Sequence, residues 1–333
     1  MIAAPPASDG LVTATDVLAL ENVEVGYHSD RGEVRAVRGV TFGLRPGERL
    51  GLVGESGCGK STTALAIMRL IKAPGRITGG RILLRKGGRE IDLATLNEEQ
   101  VRQVRLSDIA LIPQGSMNSL NPVKRIGDHF RDSIEAHEKV SEARIRERTA
   151  EALKMVGLRE STARLYPHEL SGGMKQRVCI ALSITLTPSV IIADEPTSAL
   201  DVVVQRHVME TLGAIQQRLN ASVILVGHDM GLLAQFVDRL GVMYAGKLVE
   251  LAPIRELFAD PRHPYTRALI ESLPTLDQRG VFRGVPGLPP SLRNAPPGCL
   301  FAPRCQFAMD RCLVDTPELQ MVAPGHWVAC HLY

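Results

Sequence analysis

GESGCGKS, residues 54–61, decides the fold. Gly54 is followed by four residues and then by Gly59-Lys60-Ser61. Glycines let a backbone curl so that several N–H groups point into one concavity, a shape that suits phosphate oxygens. The preceding segment, Glu48 to Val53, is short and largely apolar, as a buried strand is. After Ser61 comes TTALAIMRLI, a helix former whose N-terminal dipole adds to the anion site. Strand, loop and helix in that order predict a nucleotide site, with Lys60 on the terminal phosphates and the Ser61 hydroxyl on Mg²⁺. A glycine-rich turn matching by chance would lack the strand and the helix.

Composition narrows the class. The 333 residues are 44% hydrophobic and 23% charged, which fits one large domain plus an extension. A net charge of +3 is too mild to demand nucleic acid as a partner. No run approaches the ~18 apolar residues of a spanning helix. The opening MIAAPPASDG has neither the basic nor the apolar region of a secretory leader, and residues 1–16 are expected to be a disordered tail.

Residues 17–53 alternate apolar runs with glycine turns: VLALENVEVGY, AVRGVTFGL and RLGLVG. They read as antiparallel strands leading into the loop. Residues 96–170 are rich in charge and helix formers, and SEARIRERTAEALKMVGL places Ile145, Ala152, Leu153 and Val156 on one helical face. Residues 188–250 return to strand–helix–strand with SVIIADE, VVVQRHVMETLGAIQQRL and ASVILVGHD, which implies a parallel sheet with crossover helices. VPGLPPSLRNAPPG, at 285–298, reads as an irregular linker.

Two further strings carry chemistry. VIIAD ends in Asp194-Glu195, which puts both carboxylates at the carboxyl end of a sheet strand, where α/β folds bind ligands. Asp194 is expected to bind Mg²⁺ through water, and Glu195 to orient the attacking water. A solvated acidic turn is the bland reading of this pair, and a poor one downstream of a phosphate loop. LSGGMKQRV, at 170–178, offers Ser171 as an N-cap and two glycines before a helix. Alone it would read as an ordinary serine-capped helix.

The phosphate loop, LSGG and ADEPTSALD (193–201), in that order, resemble the ATPase subunit of ATP-binding cassette (ABC) transporters over roughly residues 17–255. The resemblance implies an α/β, ABC-type P-loop ATPase: a parallel-sheet core with an antiparallel β subdomain and a helical subdomain. It implies nucleotide contacts from Gly54, Glu55, Ser56, Gly57, Cys58, Gly59, Lys60, Ser61 and Thr62. Tyr27 is implied as the aromatic that stacks on adenine, although a tyrosine at a strand end equally suits surface packing. Gln114, in LIPQ, is implied to touch Mg²⁺ and the attacking water, and His228, in VILVGHD, the γ-phosphate. Asp201 is implied to communicate across a dimer. Ser171, Gly172 and Gly173 would close over the nucleotide of the opposite subunit. None of these motifs departs from the family pattern, so hydrolysis is expected.

DPRHPYTRALIESLP (260–274) and GCLFAPRCQFAMDRC resemble the tail of the dipeptide, oligopeptide and nickel importer branch, as does SLNPV at 119–123. His263-Pro264-Tyr265 reads structurally as a turn starting a helix and is assigned no chemistry. The expected boundaries are 17–259 for the ATPase domain, with the helical subdomain near 96–170, and 260–333 for a small, irregular, cysteine-rich C-terminal extension. Cys299, Cys305, Cys312 and Cys330 have the spacing C-x5-C-x6-C-x17-C. Tight C-x2-C pairs, usual for structural zinc, are missing, and the branch's tails imply a 4Fe–4S cluster, with zinc as the alternative. Cys58 and Cys179 read as packing residues.

The resemblance therefore implies an ATPase energising peptide or small-solute uptake. It would work at the cytoplasmic face of the membrane with a second ABC ATPase, two permease subunits and an extracytoplasmic substrate-binding protein, and without nucleic acid. The rival is a soluble ABC ATPase acting on DNA or ribosomes with a zinc-binding tail. The single cassette, the lack of a long coiled coil and the modest charge stand against it. A third reading, an ATPase-dead regulatory subunit, conflicts with Glu195 and His228.

Overall fold

The computed structural model describes residues 10–29, 32–115, 119–198, 200–273, 284–293 and 295–333. They fall into two compact units. The first draws on Met1–Arg45, Arg49–Ala94 and Val226–Tyr333, the second on Pro46–Glu48 and Thr95–Leu225.

The first unit opens with β1 (Leu18–Ser29) and β2 (Gly32–Leu44), then β3 (Arg49–Val53), α1 (Lys60–Ile67), β4 (Gly75–Lys86) and β5 (Arg89–Asp92). One sheet runs in the order β2-β1-β4-β5 and is antiparallel throughout. Leu18, Leu20, Val23 and Val25 of β1 are fully buried. The one-residue change of phase between Leu20 and Val23 is absorbed at Asn22, whose φ of 51° marks the register shift.

The second unit contains α2 (Glu98–Val104), β6 (Ile109–Ile112), α3 (Ile126–Glu135), α4 (Glu142–Met155), α5 (Gly172–Ser183), β7 (Val190–Asp194) and α6 (Val202–Leu219), and ends in β8 (Ser222–Val226). Its strands lie in the order β8-β7-β6, with β6 parallel to β7. Val190, Ile191, Ile192 and Ala193 have no exposed surface, the continuous apolar run of a strand covered on both faces. Ser141 caps α4, and Ile145, Ala152 and Leu153 form its buried stripe with Val156 just beyond it, the face the sequence predicts.

The chain returns to the first unit with α7 (Met230–Ala234), β9 (Arg239–Tyr244), β10 (Lys247–Pro253), α8 (Ile254–Ala259), α9 (Pro264–Glu271), α10 (Asp310–Val314), β11 (Gln320–Ala323) and β12 (His326–Val328). These strands join β3 in the order β11-β12-β10-β9-β3.

Three elements differ from the sequence reading. RLGLVG is not part of the antiparallel sheet: β3 runs parallel to β9, with Leu50 opposite Arg239 and Val53 opposite Val242. A short, largely apolar run carries no alternation by which to tell a parallel core strand from its antiparallel neighbours. α1 stops at Ile67, before the predicted Ile71, and Arg69 takes a left-handed φ of 55°. The C-terminal extension is not simply irregular. Its hairpin extends the core sheet, with β12 pairing antiparallel to β10 through Glu250↔Val328 and Leu251↔Trp327. Of the expected N-terminal tail, residues 1–9 lie outside the described residues, while Asp16 is 2% exposed and the Gly43 N–H donates to the Leu11 carbonyl at 2.9 Å.

Candidate nucleotide and catalytic loops

In the first unit the phosphate loop joins β3 to α1. Gly54 has φ 147°, and a Cβ there would sit 2.1 Å from the Met243 carbonyl oxygen. Gly59 has φ 104°, and its Cβ would meet the Ala36 carbonyl oxygen at 2.5 Å. Both positions need glycine for conformation and for space. Gly59 is also the N-cap of α1 and has no side chain to cover the first helical N–H groups, as an anion-binding helix start requires. The turn after β9 steadies the loop, since the Gly246 N–H donates to the Cys58 carbonyl at 2.9 Å.

Lys60 is 6% exposed. Its Nζ donates to the Gly54 carbonyl at 2.7 Å and to the Glu55 carbonyl at 3.1 Å, and lies 3.6 Å from Cys58 Sγ. The ammonium is thereby held on the inner side of the loop. Ser56 and Gly57 are exposed, Ser61 and Thr62 half-buried. Cys58 is buried, and burial pushes its thiol up, against the weaker pull of the Lys60 charge, in line with a packing role. Tyr27 lies on β1, its ring so close to Gly75 that an added Cβ would stand 2.5 Å from Cε1. His228 follows β8 and is exposed, immediately before Asp229, the N-cap of α7.

In the second unit Asp194 ends β7 and is 6% exposed. The next residue, Glu195, has φ 46°. A left-handed conformation in a non-glycine residue costs of the order of 1 kcal/mol or more, and such strain collects where a side chain must be aimed. Here it accompanies a contact the sequence does not give: Gln114 Nε2 donates to Glu195 Oε2 at 2.8 Å across 81 residues. Ser171 caps α5 and is exposed, its Oγ accepting from the Met174 N–H at 3.3 Å. Gly172 is also exposed, and a Cβ at Gly173 would stand 3.0 Å from Val204 Cγ1. Asp201 caps α6, accepting from the Val204 N–H at 3.0 Å, and exposes Val202 and Val203 beside it. Cys179 is buried on α5, as expected of packing.

Sequence reasoning gave the tail no contact with the nucleotide loop. The structure gives it two. The Glu55 N–H donates to the Tyr265 hydroxyl at 2.8 Å, and the Glu55 carboxylate takes both arms of the Arg304 guanidinium at 2.8 Å each. Glu55, expected among the nucleotide contacts, is thus engaged by the extension through backbone and side chain. Tyr265 belongs to the HPY string, the one available signal. Arg304 carried none.

The expected 4Fe–4S cluster is corrected. Cys299, Cys305, Cys312 and Cys330 line one small cavity together with His263 and Phe301. Among the described residues, however, no group of three or more His, Cys, Asp or Glu side chains is disposed to hold a metal ion. Burial pushes the Cys299, Cys305 and Cys330 thiols up. Neither the cluster nor its zinc alternative fits this arrangement. The spacing that suggested a ligand set is that of thiols packed around apolar side chains.

A glycine-built phosphate loop feeding a helix, a strand ending in paired carboxylates and a serine-capped Gly-Gly helix define an ATP-binding cassette. The ABC transporter family matches residues 37–198, and the oligopeptide/dipeptide transporter C-terminal region matches residues 249–312. The chain belongs to the ABC transporter family, among the ATP-binding proteins that carry this C-terminal region. It is 42% identical over 319 residues to a probable peptide ABC transporter ATP-binding protein, y4tR, of Sinorhizobium fredii, covering 94% of each. It is 41% identical over 320 residues to the dipeptide transport ATP-binding protein DppD of Bacillus subtilis, covering 95% of this chain and 94% of the relative. Among solved structures, the dimeric MJ0796, a bacterial ABC transporter cassette, is 28% identical with a TM-score of 0.63, over 72% of this chain and 99% of that one. CbiO1 from Clostridium perfringens, part of the ABC transporter complex cbiONQ, is 27% identical with a TM-score of 0.61, over 74% and 92%.

Proposed function

We propose that this chain hydrolyses ATP to energise uptake of peptides, or of related small solutes, through a membrane ABC importer. The observation that carries the catalytic part is the Gln114–Glu195 contact at the end of β7. It holds one carboxylate oxygen against a neutral amide donor, and a general base must be fixed in orientation in this way. Glu195 then polarises the attacking water, and Gln114 positions both. Lys60 and the N–H groups of the phosphate loop, other than that of Glu55, which donates to Tyr265, hold the β- and γ-phosphates, Tyr27 stacks on the base, and His228 contacts the γ-phosphate. Ser61, Gln114 and Asp194 each offer an oxygen donor of the kind that suits a small hard cation, and Mg²⁺ would neutralise phosphate charge. Ser171, Gly172 and Gly173 serve the nucleotide of a second cassette, identical or homologous.

Among the described residues no helix is long and apolar enough to cross a membrane. Transport on this reading therefore draws on two permease subunits, which hold the ATPase at the cytoplasmic face, and on an extracytoplasmic binding protein that delivers substrate. Family membership with the peptide-transporter C-terminal region supports the importer over an ATPase acting on DNA or ribosomes.

The test is reconstitution. The full-length chain, co-expressed with its permeases in proteoliposomes, should accumulate labelled peptide when ATP and the binding protein are supplied. ATP hydrolysis stimulated by DNA, with salt-sensitive DNA binding and no permease association, would overturn the proposal.

A further inference from the structure

We infer that Tyr265 and Arg304, in the C-terminal extension, are positioning residues for the phosphate loop, so that the tail sets the strength of the nucleotide grip. Arg304 Nη1 and Nη2 each reach one Glu55 oxygen at 2.8 Å. Nη1 also donates to the Tyr244 hydroxyl at 3.2 Å, Nη2 to the Val285 carbonyl at 3.2 Å, and Nε to the Pro286 carbonyl at 2.6 Å. These bonds use all five N–H donors of a guanidinium and leave none for a ligand. The side chain is 4% exposed against 23% for Glu55. Its charge is held up chiefly by the hydrogen bonds to Glu55. Arg304 is therefore a fixed buried anchor, and Glu55 is the part of the loop tied to it.

Tyr265 supplies the second tie. Its ring is fully buried, 4.6 Å from Tyr244 and 5.4 Å from Phe301 between centroids. Its hydroxyl accepts from the Glu55 N–H. That N–H is thereby turned to the tail and not to the phosphate cradle. The other end of the anchor is equally firm. His263 Nδ1 accepts from the Tyr265 N–H at 3.0 Å, and the His263 N–H donates to the buried Glu250 carboxylate at 3.0 Å.

The consequence follows from the composition of the loop. Gly54, Gly57 and Gly59 all take positive φ, and a loop of three such residues has many conformations open to it. Binding phosphate requires one of them. Two fixed points on Glu55 remove part of that ordering cost in advance, which strengthens ATP and ADP binding alike. Neither residue touches the reacting atoms, so turnover of bound ATP is left alone. The inference rests on the nucleotide-binding reading of the loop.

The experiment titrates the full-length chain with ATP and ADP in Mg²⁺ and measures steady-state hydrolysis. Tyr265→Phe keeps the ring and removes one neutral hydrogen bond, and should raise Kd and KM about 3- to 10-fold. Arg304→Lys keeps the charge and loses the fork, and should raise them about 10-fold. In both, kcat should stay within about twofold and binding stoichiometry should be unchanged, the signature of lost uniform binding. Glu55→Gln combined with Arg304→Met should be no worse than either alone, because the two act as one pair. Lys60→Ala separates the two readings. If it alone loses nucleotide while Tyr265→Phe and Arg304→Lys bind like the unsubstituted chain, the positioning role is wrong. If Lys60→Ala itself binds normally, the nucleotide reading of the loop fails. Reduced stoichiometry or kcat at unchanged Kd and KM would show a tail that only stabilises the fold, and would also overturn the inference.

Discussion

Oε1 of Glu250, on β10, lies 2.7 Å from Nε2 of His326, on β12, and the two side chains are 0% and 4% exposed. The same carboxylate accepts from the N–H groups of Arg262 and His263 at 2.8 and 3.0 Å. Burial alone would push this carboxyl up. The bonds from His326 and the two backbone N–H groups outweigh it and hold Glu250 below the usual carboxylate range. One buried charge therefore ties the core sheet, the C-terminal hairpin and the HPY turn together. Glu250→Ala should destabilise the chain by about 3–5 kcal/mol, the cost of breaking a buried pair. Denaturant unfolding measures it, and limited proteolysis should place the first cleavage in the extension. A loss under about 1 kcal/mol would mean that the pair does not hold the hairpin.

His263 gives the extension an acid limit. Burial depresses its pKa to about 4, against an opposing pull from Glu250. The folded value lies below the ordinary 6.5, so the unfolded chain takes up the proton first. The stability is complete above pH 6.5 and is lost as pH falls toward 4, by about 3 kcal/mol in all. Protonation would also destroy the Nδ1 acceptor that caps α9. His263→Asn, whose carbonyl can replace that acceptor, should flatten the decline of the thermal midpoint between pH 6.5 and 4. An equal decline in the variant would assign the acid sensitivity elsewhere.

Some of this was legible in the chain and some was not, for physical reasons. GESGCGKS, LSGG and VIIADE could be read because each acts through local backbone: glycine φ at 54 and 59, the Ser171 cap, the apolar run into Asp194. β3 could not be placed, since Leu50, Leu52 and Val53 are buried whichever way their neighbours run. The left-handed Glu195 gave no warning, because no residue type marks it. Tyr265 and Arg304 reach Glu55 across 210 and 249 residues, and only the packed extension brings them there. The four late cysteines misled for the opposite reason. Their spacing implied a shared ligand, but spacing alone does not make three donors converge.

The helix that starts within LSGG, α5, supplies a prediction in trans. Ser171 is exposed at the start of α5, where backbone N–H groups are available to a phosphate. Ser171→Arg puts a bulky cation in their way. It should leave ATP binding to the single subunit within about twofold and cost the assembled transporter at least about 10²-fold in turnover, the scale of a lost oxyanion-type contact. Loss of the cap adds only about 1 kcal/mol to the helix. Unchanged turnover in the assembled complex would remove Ser171-Gly172-Gly173 from the active site.

In the proposed mechanism Glu195, held by Gln114 at 2.8 Å, activates the attacking water. The most direct measurement is single-turnover and steady-state ATP hydrolysis by the assembled transporter carrying Glu195→Gln. The substitution keeps the shape and removes the proton acceptor. ATP affinity should be preserved and kcat should fall by about 10²–10⁴-fold, the usual contribution of a general base. The variant should also accumulate as a closed dimer with ATP trapped in it. Hydrolysis within a few-fold of the unsubstituted protein, with ATP bound normally, would contradict the assignment.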